Sequence, residues 1–267
     1  MQTRSIEVDG DVDALLLVSD LHSFIEPLEA LDLKFASRPE SAQIVVAGDL
    51  ISGGANPAEA VEWARQNAGE FALLGNHDET ALLGGEGDHP PYSETGGYLR
   101  LDRRQAEYYR SLPHVLELAW NGHVIRVIHG HRTFSGESVS WMTKPSEMLA
   151  RFGDPAVAIT VTAHTHHPFV AEHNGCRVAN CGSACGLLLG REHEDGTISS
   201  WGDEAAFEAP LQIYSTFLAL TVESGELKVT IERFDYDRAA AIQRLRDVND
   251  PFVEVRQRWL ETGVVRA

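Results

Sequence analysis

The sequence predicts an α/β protein with helices packed on the faces of β-sheets, and three observations indicate this class. Residues 14–74 alternate short apolar runs with amphipathic segments, which is typical of a parallel βαβαβ unit. In the second half, apolar runs follow one another across tight turns, which predicts antiparallel hairpins. Five short polar segments each follow an apolar run, at the end of a predicted strand, where ligand crevices form in open α/β sheets.

The first half is predicted to alternate strands and helices. Its strands are expected at ALLLV (14–18), QIVVA (43–47) and FALL (71–74). The first helix has Ser23 as its expected N-cap and Pro27 in an early turn, where proline is tolerated. The second helix is expected to begin with Asn56 as N-cap and Pro57 as the first helical residue.

The second half begins with a predicted long loop at 84–98, of a length that is common in lids and binding loops. A helix is predicted at 102–111. Hairpin turns are expected at Asn121-Gly122, Asn174-Gly175 and the segment ESGE at 223–226. Residues 191–209 are predicted to form an exposed loop, and the residues from Arg238 onward a helix interrupted before Pro251.

The apolar runs are spread evenly and indicate no domain boundary. We therefore expect a single domain over 1–267, with a cap-like or lid-like insertion near 80–112 and a C-terminal β-hairpin followed by a helical tail. Apolar residues make up 43% and charged residues 23% of the chain, which is ordinary for a protein with a full core.

The formal charge of −18 argues against an extended nucleic-acid surface, because such surfaces require clustered Lys and Arg. Bound divalent cations would reverse the field locally, so a small phosphorylated substrate stays compatible with this charge. The alternative is that the acidity serves solubility. The three cysteines do not suggest a disulfide framework, and no apolar run resembles a secretion signal or a membrane span. We expect a cytoplasmic protein with no membrane partner.

The five polar segments carry oxygen and nitrogen donors that suit borderline first-row metals. They are SDLH (19–22), GDL (48–50), GNHD (75–78), HGH (129–131) and AHTH (163–166). In an extended segment, residues two apart point to the same side, so the two members of a pair such as Asp20 and His22 can hold one ion. His164 and His166 repeat this spacing, and the carboxylate of Asp49 can bridge two ions. The pattern predicts a site for two metal ions.

The ordered set resembles the calcineurin-like metallophosphoesterase superfamily, whose pattern runs D-x-H, GD, GNH[DE], H and GH-x-H. The stretch from RRQAEYYR to HVIRVIHG and the segment NCGS at 180–183 are also similar to that family. Ala163 and Cys181 depart from its usual glycine and proline. The text after Asp49, GDLISGGANPAEAVEW, resembles the small bacterial and archaeal phosphodiesterase-like branch.

The resemblance implies a four-layer α/β/β/α sandwich of two mixed sheets and a centre of two divalent metal ions (Mn, Fe, Co, Ni or Zn). The implied ligands are Asp20, His22 and His166 for the first ion, Asn76, His129 and His164 for the second, and Asp49 for both. His77 would donate a proton to the leaving group, with Asp78 orienting it. His131, Arg132 and Asn180 lie next to the motifs and are candidate substrate contacts.

The implied activity is hydrolysis of a phosphate monoester or diester of a small molecule or nucleotide, through a bridging hydroxide between two metal ions. The alternatives are a protein phosphatase or dinucleoside polyphosphate hydrolase and, in a different class, a non-catalytic binding scaffold. The sequence leaves open the natural substrate, a homo-oligomer and the role of Cys181 and Cys185. It also leaves open whether Phe134 and Trp141 form a base-stacking surface.

Overall fold

The computed structural model describes residues 1–38, 41–84, 101–193, 198–200 and 213–266. The strands in these ranges are β1 (Thr3–Glu7), β2 (Ala14–Val18), β3 (Ala42–Val46), β4 (Val115–Trp120), β5 (His123–Ile128), β6 (Ile159–Thr162), β7 (Phe169–His173), β8 (Cys176–Asn180), β9 (Gly190–Glu192), β10 (Ile198–Ser200), β11 (Ser215–Glu223), β12 (Glu226–Phe234) and β13 (Val264–Arg266). The α-helices are α1 (Glu26–Ala36), α2 (Pro57–Asn67), α3 (Asn76–Gly84), α4 (Arg103–Ser111), α5 (Pro145–Phe152), α6 (Arg238–Asp247) and α7 (Val253–Thr262).

Two mixed sheets form the centre of the molecule. The first sheet has the order β1-β4-β5-β6-β8-β7 and the second has the order β12-β11-β2-β3. In the first sheet β5, β6 and β8 run parallel, while β4 and β7 are antiparallel to their hairpin partners. In the second sheet β2 and β3 are parallel, and the hairpin of β11 and β12 adds antiparallel strands.

The sheets pack face to face with helices outside them. Because side chains alternate across a strand, Leu15 and Leu17 of β2 lie in the core between the sheets, together with residues of β4, β5 and β6. Leu16 and Val18 point the other way and pack among residues of α1 and α2. On the far side of the first sheet, Met148 and other residues of α5 cover β5 and β8. The predicted α/β/β/α sandwich of two mixed sheets is confirmed.

The three predicted hairpins form with the turns that the sequence indicates. Asn121 and Gly122 have φ values of 48° and 81°, and Asn174 and Gly175 have 51° and 75°. These paired positive φ values are those of the turns that Asn-Gly favours in two-residue hairpins. The third hairpin turns at Ser224 and Gly225.

The helix starts agree with the sequence in part. Asn56 and Pro57 begin α2 as predicted, and α4 starts with a capping box between Asp102 and Gln105. In contrast, α1 begins at Glu26, so the predicted N-cap at Ser23 is wrong. Ser23 instead joins two loops, since its N–H donates to the carbonyl of Leu50.

Three other expectations differ from the structure. The predicted strand at 71–74 is reduced to a single bridge between Ala72 and Val46, after a 3₁₀ turn at Gly69–Phe71. The predicted loop at 191–209 includes residues of β9 and β10, which form a third sheet with β13 in the order β10-β9-β13. The N-terminal strand β1 was not predicted, and its parallel pairing with β4 supplies the partner that its five residues require.

The predicted loop at 84–98 lies outside the described residues, apart from Gly84. The described helices on either side of that segment, α3 and α4, pack against the core, and Tyr109 of α4 is fully buried. Among the helices that the structure describes, none has both the length and the apolar character needed to cross a bilayer.

Candidate metal centre

Four of the five polar segments meet at the carboxyl ends of parallel strands. They follow β2 and β3 in the second sheet and β5 and β6 in the first. Backbone hydrogen bonds join them in pairs, from Asp20 N–H to Gly48 O (3.0 Å) and from Ala163 N–H to His129 O (2.8 Å). The imidazole of His129 lies 2.8 Å from the carbonyl of Ala47 and connects the two sheets. The site therefore forms where the ends of both sheets meet.

The chain enters the site through left-handed backbone turns. Five of the predicted ligands have φ values between 46° and 65°: Asp20, His22, Asp49, His164 and His166. Non-glycine residues adopt this conformation at an energetic cost, and such residues cluster at functional sites. The expectation that these segments are extended is therefore wrong, although both histidine-containing pairs do reach the same site.

Two glycines let the loops approach each other closely. A Cβ atom on Gly75 would lie 2.1 Å from Asp49 Oδ1, and a Cβ on Gly48 would lie 2.6 Å from Gly75 N. A larger residue at Gly75 would displace the carboxylate of Asp49, and one at Gly48 would press on the backbone of Gly75 and the ring of His129. This contact explains why a glycine precedes both Asp49 and Asn76.

Asp20, His22 and His166 form a first donor group. The Nε2 atoms of His22 and His166 are 3.2 Å apart, and His166 Nε2 lies 3.1 Å from Asp20 Oδ1. His22 Nε2 lies 3.7 Å from the same oxygen. All three side chains are buried.

Asn76, His129 and His164 form a second donor group. The amide oxygen of Asn76 lies 2.9 Å from His164 Nδ1 and 3.1 Å from His129 Nε2. The three donor atoms therefore face one another around a common point, as in the first group.

Asp49 lies between the two groups. Its Oδ1 accepts a hydrogen bond from the backbone N–H of His77 (2.9 Å). Its Oδ2 lies 3.3 Å from His129 Nε2 in the second group and 3.8 Å from His22 Nε2 in the first. A single oxygen, rather than both, thus faces the two groups.

Each donor histidine presents one ring nitrogen to a backbone carbonyl and the other to the site. The carbonyls belong to Ser52 for His22 (2.7 Å), Ala47 for His129 (2.8 Å), Val139 for His164 (2.9 Å) and Gly186 for His166 (3.2 Å). Because a carbonyl oxygen only accepts, the ring nitrogen facing it carries hydrogen, and the opposite nitrogen of a neutral ring has a lone pair. Metal-binding histidines are typically oriented in this way.

Two further features fit a metal ion. Both carboxylate oxygens of Asp20 are buried and have no hydrogen-bond partner among the described residues. Burying such a group without a partner is costly. The facing Nε2 lone pairs of His22 and His166 also repel each other unless a cation or proton lies between them. The residues of the first donor group therefore fit a divalent ion.

Most of the site is already in the charge state that metal ligands require. Burial lowers the pKa of both His22 and His164 to about 3, so both rings are neutral at pH 7. Burial acts to raise the pKa of Asp20 and that of Asp49, but nearby histidines outweigh it and hold both pKa values below the ordinary one. Both carboxylates are therefore ionised.

His129 is the exception. Burial acts to lower its pKa, but the charge and hydrogen bond of Asp49 outweigh burial and raise the pKa to about 10. At neutral pH, His129 therefore carries a proton that a metal ion would displace.

His77 faces the site from the first turn of α3. Its ring packs edge-on against that of His22, with 4.9 Å between the ring centroids, and its Nδ1 lies 3.2 Å from Ser52 Oγ. Burial lowers the pKa of His77, so the ring is neutral at pH 7.

Asp78 has a different role from the predicted orientation of His77. It is fully buried, and its Oδ1 accepts hydrogen bonds from Leu50 N–H (2.9 Å) and from the hydroxyl of Tyr109 (2.8 Å). Its Oδ2 accepts from Gly75 N–H (2.8 Å). Asp78 thus fixes the loops that carry Asp49 and Asn76.

Glu79, one turn into α3, contacts the polar side chains next to the second donor group. His131 Nε2 lies 3.4 Å from its carboxylate, His114 Nε2 lies 3.2 Å from it, and Arg132 forms a hydrogen-bonded ion pair with it. His131 and Arg132 are half-buried, and the ring centroid of His131 lies 5.6 Å from that of His129. Their contact with substrate stays a prediction.

Asn180 does not reach the site surface. It is fully buried, its Nδ2 donates to Ala163 O (2.6 Å), and its Oδ1 accepts from Gly182 N–H (2.8 Å). Its amide is used to hold the loop before His164, so the structure gives it a positioning role in place of the predicted substrate contact.

The sequence leaves the role of Cys185 open, and it does not indicate that Trp259 lies at the site. The thiol of Cys185 lies within 4.8 Å of possible ligand atoms of His22 and His166, and burial raises the pKa of this thiol well above its ordinary value. Trp259 of α7 packs against the same histidines, with ring centroids 5.9 Å from His22 and 5.6 Å from His166. Neither residue belongs to a recognisable motif. An apolar stripe on α7 is the sequence signal that indicates the packing of Trp259.

Comparison with known proteins agrees with this geometry. Residues 14–198 match the model of the calcineurin-like phosphoesterase superfamily domain. The fold is similar to a metallophosphoesterase from Sphaerobacter thermophilus, with a TM-score of 0.64 and 19% identity over 94% of this chain and 100% of that one. It is also similar to a hypothetical protein from Pyrococcus horikoshii, with a TM-score of 0.66 and 18% identity over 94% and 98%. A search of curated proteins finds no significant match.

Proposed function

The chain belongs to the calcineurin-like phosphoesterase superfamily, and we propose that it hydrolyses a phosphate monoester or diester of a small molecule or nucleotide at a centre of two divalent ions. The observation that carries this proposal is the position of Asp49 Oδ2, within 3.8 Å of a donor nitrogen in each group. We place the protein in the small bacterial and archaeal phosphodiesterase-like branch, as the residues after Asp49 indicate.

In this proposal Asp20, His22 and His166 hold one ion, Asn76, His129 and His164 hold the other, and Asp49 holds both. Bound divalent ions would polarise a phosphoryl group and lower the pKa of water. Asp20 and Asp49 bring only two negative charges, so they leave net positive potential for an anionic phosphoryl group. The mixed nitrogen and oxygen donors suit Mn, Fe, Co, Ni or Zn.

His77 is the proposed proton donor to the leaving alkoxide. Its ring borders the first donor group and the hydroxyl of Ser52, and this position beside the proposed metal centre supports the assignment. The ring is neutral at pH 7 without substrate, since burial lowers its pKa. A phosphoryl anion beside the ring would favour the protonated form, because an opposite charge raises the pKa of histidine. The proposal therefore requires the phosphoryl anion to outweigh the positive potential of the bound ions at this ring.

The experiment is hydrolysis of bis-p-nitrophenyl phosphate by metal-stripped protein after addition of Mn²⁺, Co²⁺ or Ni²⁺. We expect hydrolysis to return with at least one ion. Absence of turnover with all three ions rejects the proposal and favours a binding scaffold. A panel of phosphopeptides and dinucleoside polyphosphates then tests the branch, and a large preference for either class would overturn our placement.

A further inference from the structure

A cavity of about 360 Å³ opens beside the first donor group. His22, His77 and His166 form one side of it, and Phe252, Val255 and Trp259 form another. This volume lies within the range of small-molecule sites, roughly 300–1,000 Å³. The aromatic side comes from α7 and the residue before it, which lie outside the residues that match the family model.

Phe252, Val255 and Trp259 form what we call the C-terminal wall of the cavity. Hydrogen bonds fix this part of the chain in place. Trp259 Nε1 donates to the carbonyl of Leu187 (3.1 Å), and the Tyr236 hydroxyl donates to the carbonyl of Cys185 (2.7 Å). After α7, β13 pairs in parallel with β9. Because the indole N–H is bonded away from the cavity, the ring of Trp259 presents carbon atoms to it. The wall is therefore preformed and apolar.

The chemistry of the wall favours an aromatic ligand. Phe252 is 47% exposed and Val255 is 39% exposed, although both are large apolar side chains. Arg256 also lines the cavity, but its guanidinium is paired with Asp250 and lies 5.5 Å from the ring centroid of Phe252. The cavity thus offers exposed apolar surface and little net charge in a strongly acidic protein.

We propose that the cavity binds a planar aromatic group esterified to the substrate phosphate, and that Phe252 and Val255 determine this specificity. The inference rests on the proposed phosphoesterase function, because a phosphate at the donor groups places an ester oxygen next to His77, at the edge of the cavity. A nucleobase and a simple aryl ring share this chemistry. The candidate base-stacking residues of the sequence, Phe134 and Trp141, do not line this cavity.

The test is calorimetric binding of three ligands to the Mn²⁺-loaded protein: adenosine 5′-monophosphate, phenyl phosphate and ribose 5-phosphate. An aromatic ligand should bind at least about tenfold more tightly than ribose 5-phosphate, as base stacking on aromatic side chains generally provides. If only one aromatic ligand shows this preference, the inference stands and the source of the ring is identified. Equal binding of all three ligands overturns it.

Phe252→Ala and Val255→Ala should each reduce the preference for the aromatic ligand and leave the Kd of ribose 5-phosphate unchanged. Matched truncations are Phe134→Ala, at a residue 50% exposed, and Val248→Ala, at a residue 42% exposed, and both should retain the preference. A misfolded variant would weaken the binding of all three ligands alike and leave the ratio of their Kd values unchanged, so this ratio is the readout. Loss of the preference in Phe134→Ala but not in Phe252→Ala overturns the inference.

Hydrolysis of bis-p-nitrophenyl phosphate by the same samples separates the two proposals. Hydrolysis without an aromatic preference contradicts the cavity inference alone. An aromatic preference without hydrolysis supports the cavity inference and contradicts the proposed function.

Discussion

The donor loops and the C-terminal wall line the same cavity but are built in opposite ways. The donor loops are polar, and five of their proposed ligands have a left-handed backbone. The wall is apolar, and its aromatic residues lie on or next to a regular helix. A strained, polar loop can place donor atoms closely, whereas a packed helix presents a fixed surface. We infer that the loops carry the chemistry and the wall carries the choice of substrate.

The largest effect should follow from a change in the donor loops. We expect Asp49→Asn to lower the content of both metal ions and to reduce the rate of hydrolysis by about 10³-fold, because metal charge contributes several kcal/mol to stabilising the transition state. Metal analysis and steady-state rates measure this effect. Asp11→Asn, at an exposed carboxylate, is the control. Full retention of both ions in Asp49→Asn would separate this residue from metal binding.

The next effect should separate chemistry from metal binding within the donor loops. His77→Ala should lower kcat by about 10²–10⁴ because a proton donor is lost, while metal content stays that of the unaltered protein. The control is His173→Ala, at an exposed histidine. If His77→Ala loses metal along with activity, His77 is a ligand and our assignment of its role is wrong.

A third prediction concerns the proton on His129. Its raised pKa of about 10 means that the proton is bound at pH 7 to 8 and must leave when a metal ion binds. Metal affinity should therefore increase with pH, by about tenfold per pH unit for one released proton. Metal titrations at pH 7 and pH 8 measure the change in metal affinity. Calorimetric titrations in buffers of different ionisation enthalpy measure the number of protons released. A Kd that does not change with pH would show that no donor is protonated.

The smallest effect should come from changing a hydrogen bond that supports the donor loops. Tyr109→Phe removes the hydrogen bond to the buried carboxylate of Asp78 and should lower the free energy of unfolding by about 1–2 kcal/mol. Tyr108→Phe removes a comparable bond to the carbonyl of Gly69 and serves as the matched change. We expect a reduced rate of hydrolysis only in Tyr109→Phe, since Asp78 fixes the loops that carry Asp49 and Asn76. Equal rates in the two variants would contradict that role.

The polar motifs allowed prediction of which side chains meet, but not of how they do so. Six of the seven proposed ligands follow parallel strands, so their convergence could be argued from the order of apolar runs, although these strands belong to two sheets. The left-handed turns at Asp20 and His164 could not, because nothing in an Asp or His residue requires a positive φ. The partners of Asp78 became clear only from the packing of two loops and α4 around it.

For the C-terminal wall, the sequence predicts the helix but not the surface that the helix covers. Phe252, Val255 and Trp259 are spaced as one face of a helix, and the sequence does indicate a helical tail. Which surface that face covers depends on contacts such as the hydrogen bond from Trp259 to Leu187, which is distant in the chain. The strand β1 was missed for a similar reason, since its pairing with β4 spans more than one hundred residues.

The most direct test of the account is a crystal structure of the Mn²⁺-loaded protein with anomalous diffraction data. The account predicts two anomalous peaks, one among Asp20, His22 and His166 and one among Asn76, His129 and His164, with the carboxylate of Asp49 in contact with both ions. One peak, no peak, or an Asp49 carboxylate bound to a single ion would contradict it.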